Sequence, residues 1–233
     1  MKQEELQKEL EGMAQKEYKK FSASLLPGVK NLLGIRLPQL RKMAKEMADE
    51  DWKYYLSWEN ARYFEEVMLQ GMILGYAKAP VTEILEYTER FIPKIDNWSV
   101  NDSFCTTFRS ADKYPGEVWD FLMKYQDSHQ EFEVRMVAVM LMSHYLKPDY
   151  IQKVFEVLTS LDATEYYASM AVAWAFATAW AKFPDETRDW LAAHSIEKKT
   201  YRRMLQKCIE SRRIKDEDKQ WMRMERSLDK SGI

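Results

Sequence analysis

Trp98, Asp102, Arg135 and Trp174 are the residues of this chain whose types and spacing could do chemistry together. A carboxylate stabilises a neighbouring positive charge, an indole face favours one through its π electrons, and a guanidinium holds an anion with a rigid fork of donors. Facing one groove, such a set could grip a nucleic-acid backbone and stabilise a cation on its sugar. Trp98 and Asp102 are four apart in Trp98-Ser99-Val100-Asn101-Asp102, so on a helix they share a face about one turn apart. Each residue also has a plainer reading. Trp98 could be a core ring in a chain with 8 tryptophans, and Asp102 a surface or capping carboxylate. Trp174 could be buried in its almost uncharged, alanine-rich segment, and Arg135 could pair with Glu131 four positions earlier.

Positioning these side chains calls for helices. Leu6, Leu10, Met13 and Tyr18 are spaced for one apolar face and predict a first helix over about 3–21, which Leu26-Pro27-Gly28 stops. Pro38 suits the first turn of a second helix running through Leu40, Met43, Ala44 and Met47. Further helices are predicted at about 59–77, 81–92, 96–110, 114–127, 131–146, 148–161, 164–182, 184–193, 196–211 and 215–230, joined by short polar or proline-bearing turns that leave no room for strands. The step from Trp98 to Arg135 is 37 residues and from Arg135 to Trp174 is 39, near the roughly 40 residues of a two-helix repeat. Equivalent positions in successive helix pairs project onto one concave surface. The expectation is an all-α fold, an α-solenoid curved into a single domain over 1–233, with no linker or composition shift dividing it.

Composition supports helices and excludes several function classes. Hydrophobic residues make up 46% and charged residues 31%, with only 7 Gly and 7 Pro, a balance poor in turn material for many strands. The net charge of −2 gives no global attraction to polyanions, so any nucleic-acid partner must be drawn by a local patch. Cys105 and Cys208 are too few for a disulfide framework and lack metal-ligand company. His129, His144 and His194 are scattered, and no glycine-rich loop could cradle nucleotide phosphates, so neither a metal nor a nucleotide cofactor is expected. The first twenty residues carry charge throughout, and no apolar run reaches the roughly 20 residues that span a bilayer. A cytoplasmic protein with no membrane partner is expected, and a monomer. Gly71 and Gly75, four apart, read as a site of close helix packing, and the 14 methionines as core filler.

Positive charge concentrates in Lys198-Lys199-Thr200-Tyr201-Arg202-Arg203, followed by Lys207, Arg212, Arg213 and Lys215. Lys199, Arg203 and Lys207 share one helical face. A solvated helix is the usual meaning of such a run, and a phosphate-binding stripe is the sharper one, because backbone contacts draw on Lys, Arg, Thr and Tyr.

Taken in order along the chain, several stretches resemble the DNA alkylation repair family of HEAT-like-repeat DNA glycosylases, the AlkD-type enzymes. They are Leu33-Gly34-Ile35-Arg36-Leu37-Pro38-Gln39-Leu40-Arg41, Tyr63-Phe64-Glu65-Glu66 with Gln70-Gly71, Asp96-Asn97-Trp98 with Asp102, Val134-Arg135-Met136, and Tyr166-Tyr167 followed by Ala173-Trp174. The resemblance implies HEAT-like helix pairs and removal of cationic N3- or N7-alkylated purines from duplex DNA without base flipping. It implies a catalytic cleft of Trp98, Trp174 and Asp102. Arg135 then matches the arginine that contacts the DNA backbone, joined as DNA-binding residues by Lys198, Lys199, Arg202, Arg203, Lys207 and Arg212. A non-catalytic relative that binds distorted or branched DNA is the alternative within the same family, and a helical scaffold for a protein partner is the alternative outside it.

Overall fold

The helices Leu37–Ala48 and Pro184–Ala193 carry a proline in the first turn, where its missing N–H costs nothing, and those at Trp98–Thr107 and Lys198–Glu210 follow an asparagine and a glutamate whose side chains accept from the first free amides. The structure, a computed structural model, describes residues 1–228, and among these residues there is no strand. The fold is therefore all-α, as the spacing predicted. No helix is long and apolar enough to cross a membrane. The described residues divide into two compact units, Met1–Phe121 and the part from Leu122 onward. The last two residues of the helix predicted over 215–230 lie outside the described residues.

The first unit comprises α1 (Gln3–Met13), α2 (Lys16–Leu25), α3 (Leu37–Ala48), α4 (Trp52–Leu56), α5 (Phe64–Tyr76), α6 (Val81–Phe91), α7 (Trp98–Thr107), α8 (Ser110–Lys113) and most of α9 (Pro115–Met123). Helix α5 lies between α3 and α7. Its position explains its sequence, because a helix with neighbours all round is apolar all round: Met68, Leu69, Met72, Ile73 and Leu74 are all buried. Gly71 and Gly75 permit the close approach. A Cβ on Gly71 would lie 2.8 Å from the Phe91 ring, and one on Gly75 would collide with the Thr107 hydroxyl. Close packing, read from their spacing, is what these two glycines provide.

The N-terminus of α5 explains two of the sequence stretches singled out above. Glu65 and Glu66 are 1% and 2% exposed, and neither has a cation partner among the described residues. Backbone amides replace the water instead. Glu65 accepts from Leu33 N, Gly34 N and Ile35 N at 2.8–3.4 Å, pinning the Leu33–Ile35 segment to the helix. Glu66 accepts from Arg62 N and Tyr63 N at 2.9 and 2.8 Å, and from the amides of Gln3 and Gln7 at 3.1 Å. Both charges also sit in the first turn, where the helix dipole favours them.

Helix predictions failed where tertiary contacts overrode local pattern. The single helix predicted over 3–21 is broken at Ala14 and Gln15, whose backbones are extended. Gln15 N instead donates to Gly34 O at 3.3 Å, and its side chain accepts from Arg36 Nε at 3.1 Å. Gly34 adopts φ 86° and lies so close that a Cβ there would be 2.5 Å from Lys19 Cα. Helix α4 fell in a gap between predicted elements, and the stretch predicted over 96–110 ends at Thr107 before the separate turn of α8.

The second unit contains α10 (Glu131–Met140), extended by a π-helical turn over Leu141–Tyr145, then α11 (Ile151–Ser160), α12 (Tyr166–Lys182), α13 (Pro184–Ala193), α14 (Lys198–Glu210) and α15 (Asp216–Leu228). Here α12 lies between α10 and α14. Alanines at 168, 171, 173, 175 and 179 are fully buried, which lets both neighbours come close. A hydrogen bond of 2.6 Å between the Ser169 and Thr200 hydroxyls ties α12 to α14 inside this contact.

Candidate functional site

Asn97 sets the start of α7. Its side-chain oxygen accepts from Ser99 N and Val100 N, both at 3.0 Å, while its amide donates to Asp96 at 2.7 Å. This N-cap makes Trp98 the first residue of the helix. From there the helix has two faces. Val100, Asn101, Ser103, Phe104, Cys105 and Thr107 are buried, whereas Trp98, Ser99 and Asp102 are half-buried and Thr106 is exposed. Trp98 and Asp102 therefore share the open face, one turn apart.

Each is held in place from behind. The Trp98 indole Nε1 donates to Leu25 O at the end of α2, at 3.0 Å, which fixes the plane of the ring. Asn101, with no exposed surface, donates its amide to Asp102 Oδ1 at 3.1 Å. The acceptor dictates the orientation of that amide, since only the NH₂ group can serve a carboxylate. The other end of Asn101, its Oδ1, is buried without a partner among the described residues. One turn on, Thr106 donates to Asp102 O at 2.6 Å and accepts from an Arg41 η-nitrogen at 3.4 Å, so α3 adds a guanidinium beside this face. Sequence reasoning missed Asn101 and Arg41. Adjacency to Asp102 was the one available signal for Asn101, and no periodic pattern marks an asparagine for burial.

Trp174 stands on the open edge of α12. Every other residue from Ala171 to Trp180 is buried, and Trp174 alone is half-buried. Tyr167 and Met170, also half-buried, precede it at steps of three and four along the same edge. The Tyr167 ring stacks on Phe132 at 5.7 Å between centroids, and Arg203 of α14 places its guanidinium 4.8 Å from the Tyr166 ring centre. An aromatic and basic edge thus runs along the first half of α12.

Arg135 is seated differently from its sequence reading. It is 6% exposed, and one η-nitrogen donates to Tyr167 O at 2.8 Å. Glu131, four residues earlier, accepts from Tyr167 N at 2.5 Å, so the two side chains hold both ends of one residue of α12. The three widely spaced residues also differ in register. Trp98 is the first residue of α7, Arg135 the fifth of α10 and Trp174 the ninth of α12. They are not equivalent repeat positions, as the steps of 37 and 39 residues had suggested. The helices themselves begin 33 and 35 residues apart.

The basic run forms α14. Glu197 caps it, accepting from Lys199 N at 2.9 Å and Thr200 N at 2.8 Å. Burial pushes the Glu197 carboxyl up, but these bonds, the Thr200 hydroxyl and the Lys199 charge together hold it below the ordinary range. Thr200, Met204, Leu205 and Cys208 form the buried face. Lys198, Lys199, Arg202 and Arg212 are exposed, and Arg203 and Lys207 are half-buried. Among the described residues no cluster of three or more His, Cys, Asp or Glu could hold a metal ion.

Comparison with known proteins adds one match. The model of a family described as DNA alkylation repair enzyme fits residues 6–211 of the chain. No curated protein matches it.

Proposed function

The chain belongs to the DNA alkylation repair enzyme family, and from that premise we propose that it is a DNA glycosylase releasing N3- or N7-alkylated purines from duplex DNA. Alkylation at these nitrogens leaves the purine positively charged. Its bond to C1′ is then weak, the base departs neutral with the bonding electrons, and the positive charge moves to the sugar. The protein's task is to stabilise that sugar cation until water adds to C1′.

The observation that carries this reading is the pair on the open face of α7, an indole fixed by its N–H and a carboxylate fixed by Asn101. Asp102 stabilises the cation electrostatically, orients the water and takes its proton. Trp98 offers its π face to the same charge, and Trp174 is the second indole of the reading. In the second unit, Lys198, Lys199, Arg202, Arg203, Lys207, Arg212 and Arg135 supply phosphate contacts. The positive charge on the alkylated base already makes it a good leaving group, so the step requires no Lewis acid, and chelator is expected to leave the rate unchanged.

The test is release of 7-methylguanine or 3-methyladenine from methylated duplex by the purified protein. Asp102→Asn is expected to slow release at least about tenfold, or roughly 1.4 kcal/mol in the barrier. Wild-type protein that binds duplex in a salt-dependent manner but frees no base would replace this reading with the non-catalytic one.

A further inference from the structure

Six cations of the first unit are paired with carboxylates. Lys20 pairs with Glu17, Lys42 with Glu46, Lys53 with Glu83, Arg62 with Glu11, Lys78 with Asp49 and Arg90 with Glu86. Arg41, Lys45, Arg109 and Lys113 are among the cations of this unit without a carboxylate partner among the described residues, and what sets these four apart is that they are gathered along one edge. Arg41 bonds Thr106, one turn past Asp102. Lys45 is one turn further along α3, and its ammonium lies 5.5 Å from the centre of the Tyr76 ring. Arg109, just beyond the end of α7, places its guanidinium 5.2 Å from the same ring. Lys113 follows, 4.9 Å from the Tyr114 ring. Tyr76, Arg109, Lys113 and Tyr114 line one open cleft together with Lys78, which Asp49 neutralises.

We propose that this edge is a second DNA-backbone site, in which Lys45, Arg109 and Lys113 hold successive phosphates of the strand whose damaged nucleotide lies at Asp102. The inference rests on the glycosylase reading for its substrate and adds a contact surface in the first unit that the basic run of α14 does not include. Arg109 and Lys113 are one helical turn apart, about 5.4 Å, which corresponds to an advance of one to two nucleotides at about 3.4 Å each. The Tyr76 ring, in contact with both Lys45 and Arg109, holds the two cations in place before DNA arrives, so less side-chain freedom is lost on binding. A charge at the end of α3 also complements the helix dipole, which accounts for Lys45 but not for the company it keeps.

The experiment measures binding of full-length protein to undamaged duplex by fluorescence anisotropy between 50 and 200 mM salt, for wild type, for the triple variant Lys45→Gln, Arg109→Gln, Lys113→Gln, and for Lys42→Gln as control. Three lost phosphate contacts should lower the slope of log affinity against log salt by about 2.7. Over that fourfold range the wild type then loses about 40-fold more affinity than the triple variant. The control is expected to match the wild type. An unchanged slope in a triple variant that melts with the wild type would overturn the proposal, and so would an equal fall in the control. Because binding to undamaged DNA is read, absence of base release by the wild type would remove the glycosylase reading without touching this result.

Discussion

Asn101 allows the positioning of Asp102 to be separated from the stability of the fold. Replacing it with leucine, which has the same branching, removes the amide donor to Asp102 Oδ1 and also removes the buried oxygen that has no partner. A hydrogen bond to a charged group contributes about 1.5–3 kcal/mol, and the half-exposed position of Asp102 brings the expected value to about 1–2 kcal/mol. Deleting an unsatisfied buried carbonyl returns about 1–3 kcal/mol. The two effects offset, so the melting temperature should stay within roughly 4 °C of wild type. Catalysis has no such compensation. If Asp102 stabilises the sugar cation only when held in its present orientation, Asn101→Leu should slow base release at saturating enzyme by about 5–30-fold while leaving affinity for undamaged duplex unchanged. Single-turnover release of 7-methylguanine, run beside calorimetry and anisotropy, separates the quantities. Release at the wild-type rate would show that Asp102 does not depend on this amide, and a slowing matched by a large drop in melting temperature would show that Asn101 acts only through the fold.

Two further outcomes follow from packing and charge. Gly75→Ala should destabilise the protein by about 1–3 kcal/mol, seen as a lower urea midpoint, because its new methyl group meets Thr107 at the α5–α7 contact, whereas alanine at Gly12, where nothing approaches, should be tolerated. Asp162 accepts from the Thr164 hydroxyl and backbone and faces His129 at 2.6 Å, contacts that hold its carboxyl down at about 2. A depressed folded-state value means that its contribution is complete above the unfolded value near 4 and is lost as pH falls through about 2. Glu197 is shifted in the same direction. The urea-midpoint gap between wild type and Asp162→Asn should therefore narrow steadily as pH falls from 4 through 2, and a gap as wide at pH 2 as at pH 5 would contradict the assignment.

How far the sequence revealed this depended on whether a feature was local. The shared face of Trp98 and Asp102 follows from a spacing of four and needs nothing from the rest of the chain. Gly71 and Gly75 were legible for the same reason. The break at Ala14 and Gln15 was not, because its cause is an amide bonded to Gly34, nineteen residues later in sequence. Nor was the interior seat of Arg135, which depends on a carbonyl of α12 that no local pattern announces. The buried pair Glu65 and Glu66 shows the same limit from the other side. Nothing local marks two adjacent acids at a helix start for burial, and only the return of the Leu33–Ile35 segment and of Gln3 and Gln7 offsets the loss of their water.

The spacing between functional residues misled for a reason that generalises. Steps of 37 and 39 residues looked like a repeat, yet the helices carrying those residues begin 33 and 35 residues apart, and each successive residue falls one turn deeper into its helix. A repeat is defined by the elements that pack, and helix starts are the more faithful ruler. A helix start can carry its own mark, as Asn97 does for α7 and Glu197 for α14, each accepting from two of the amides that the N-terminus leaves open. Functional side chains answer instead to the shape of whatever they touch.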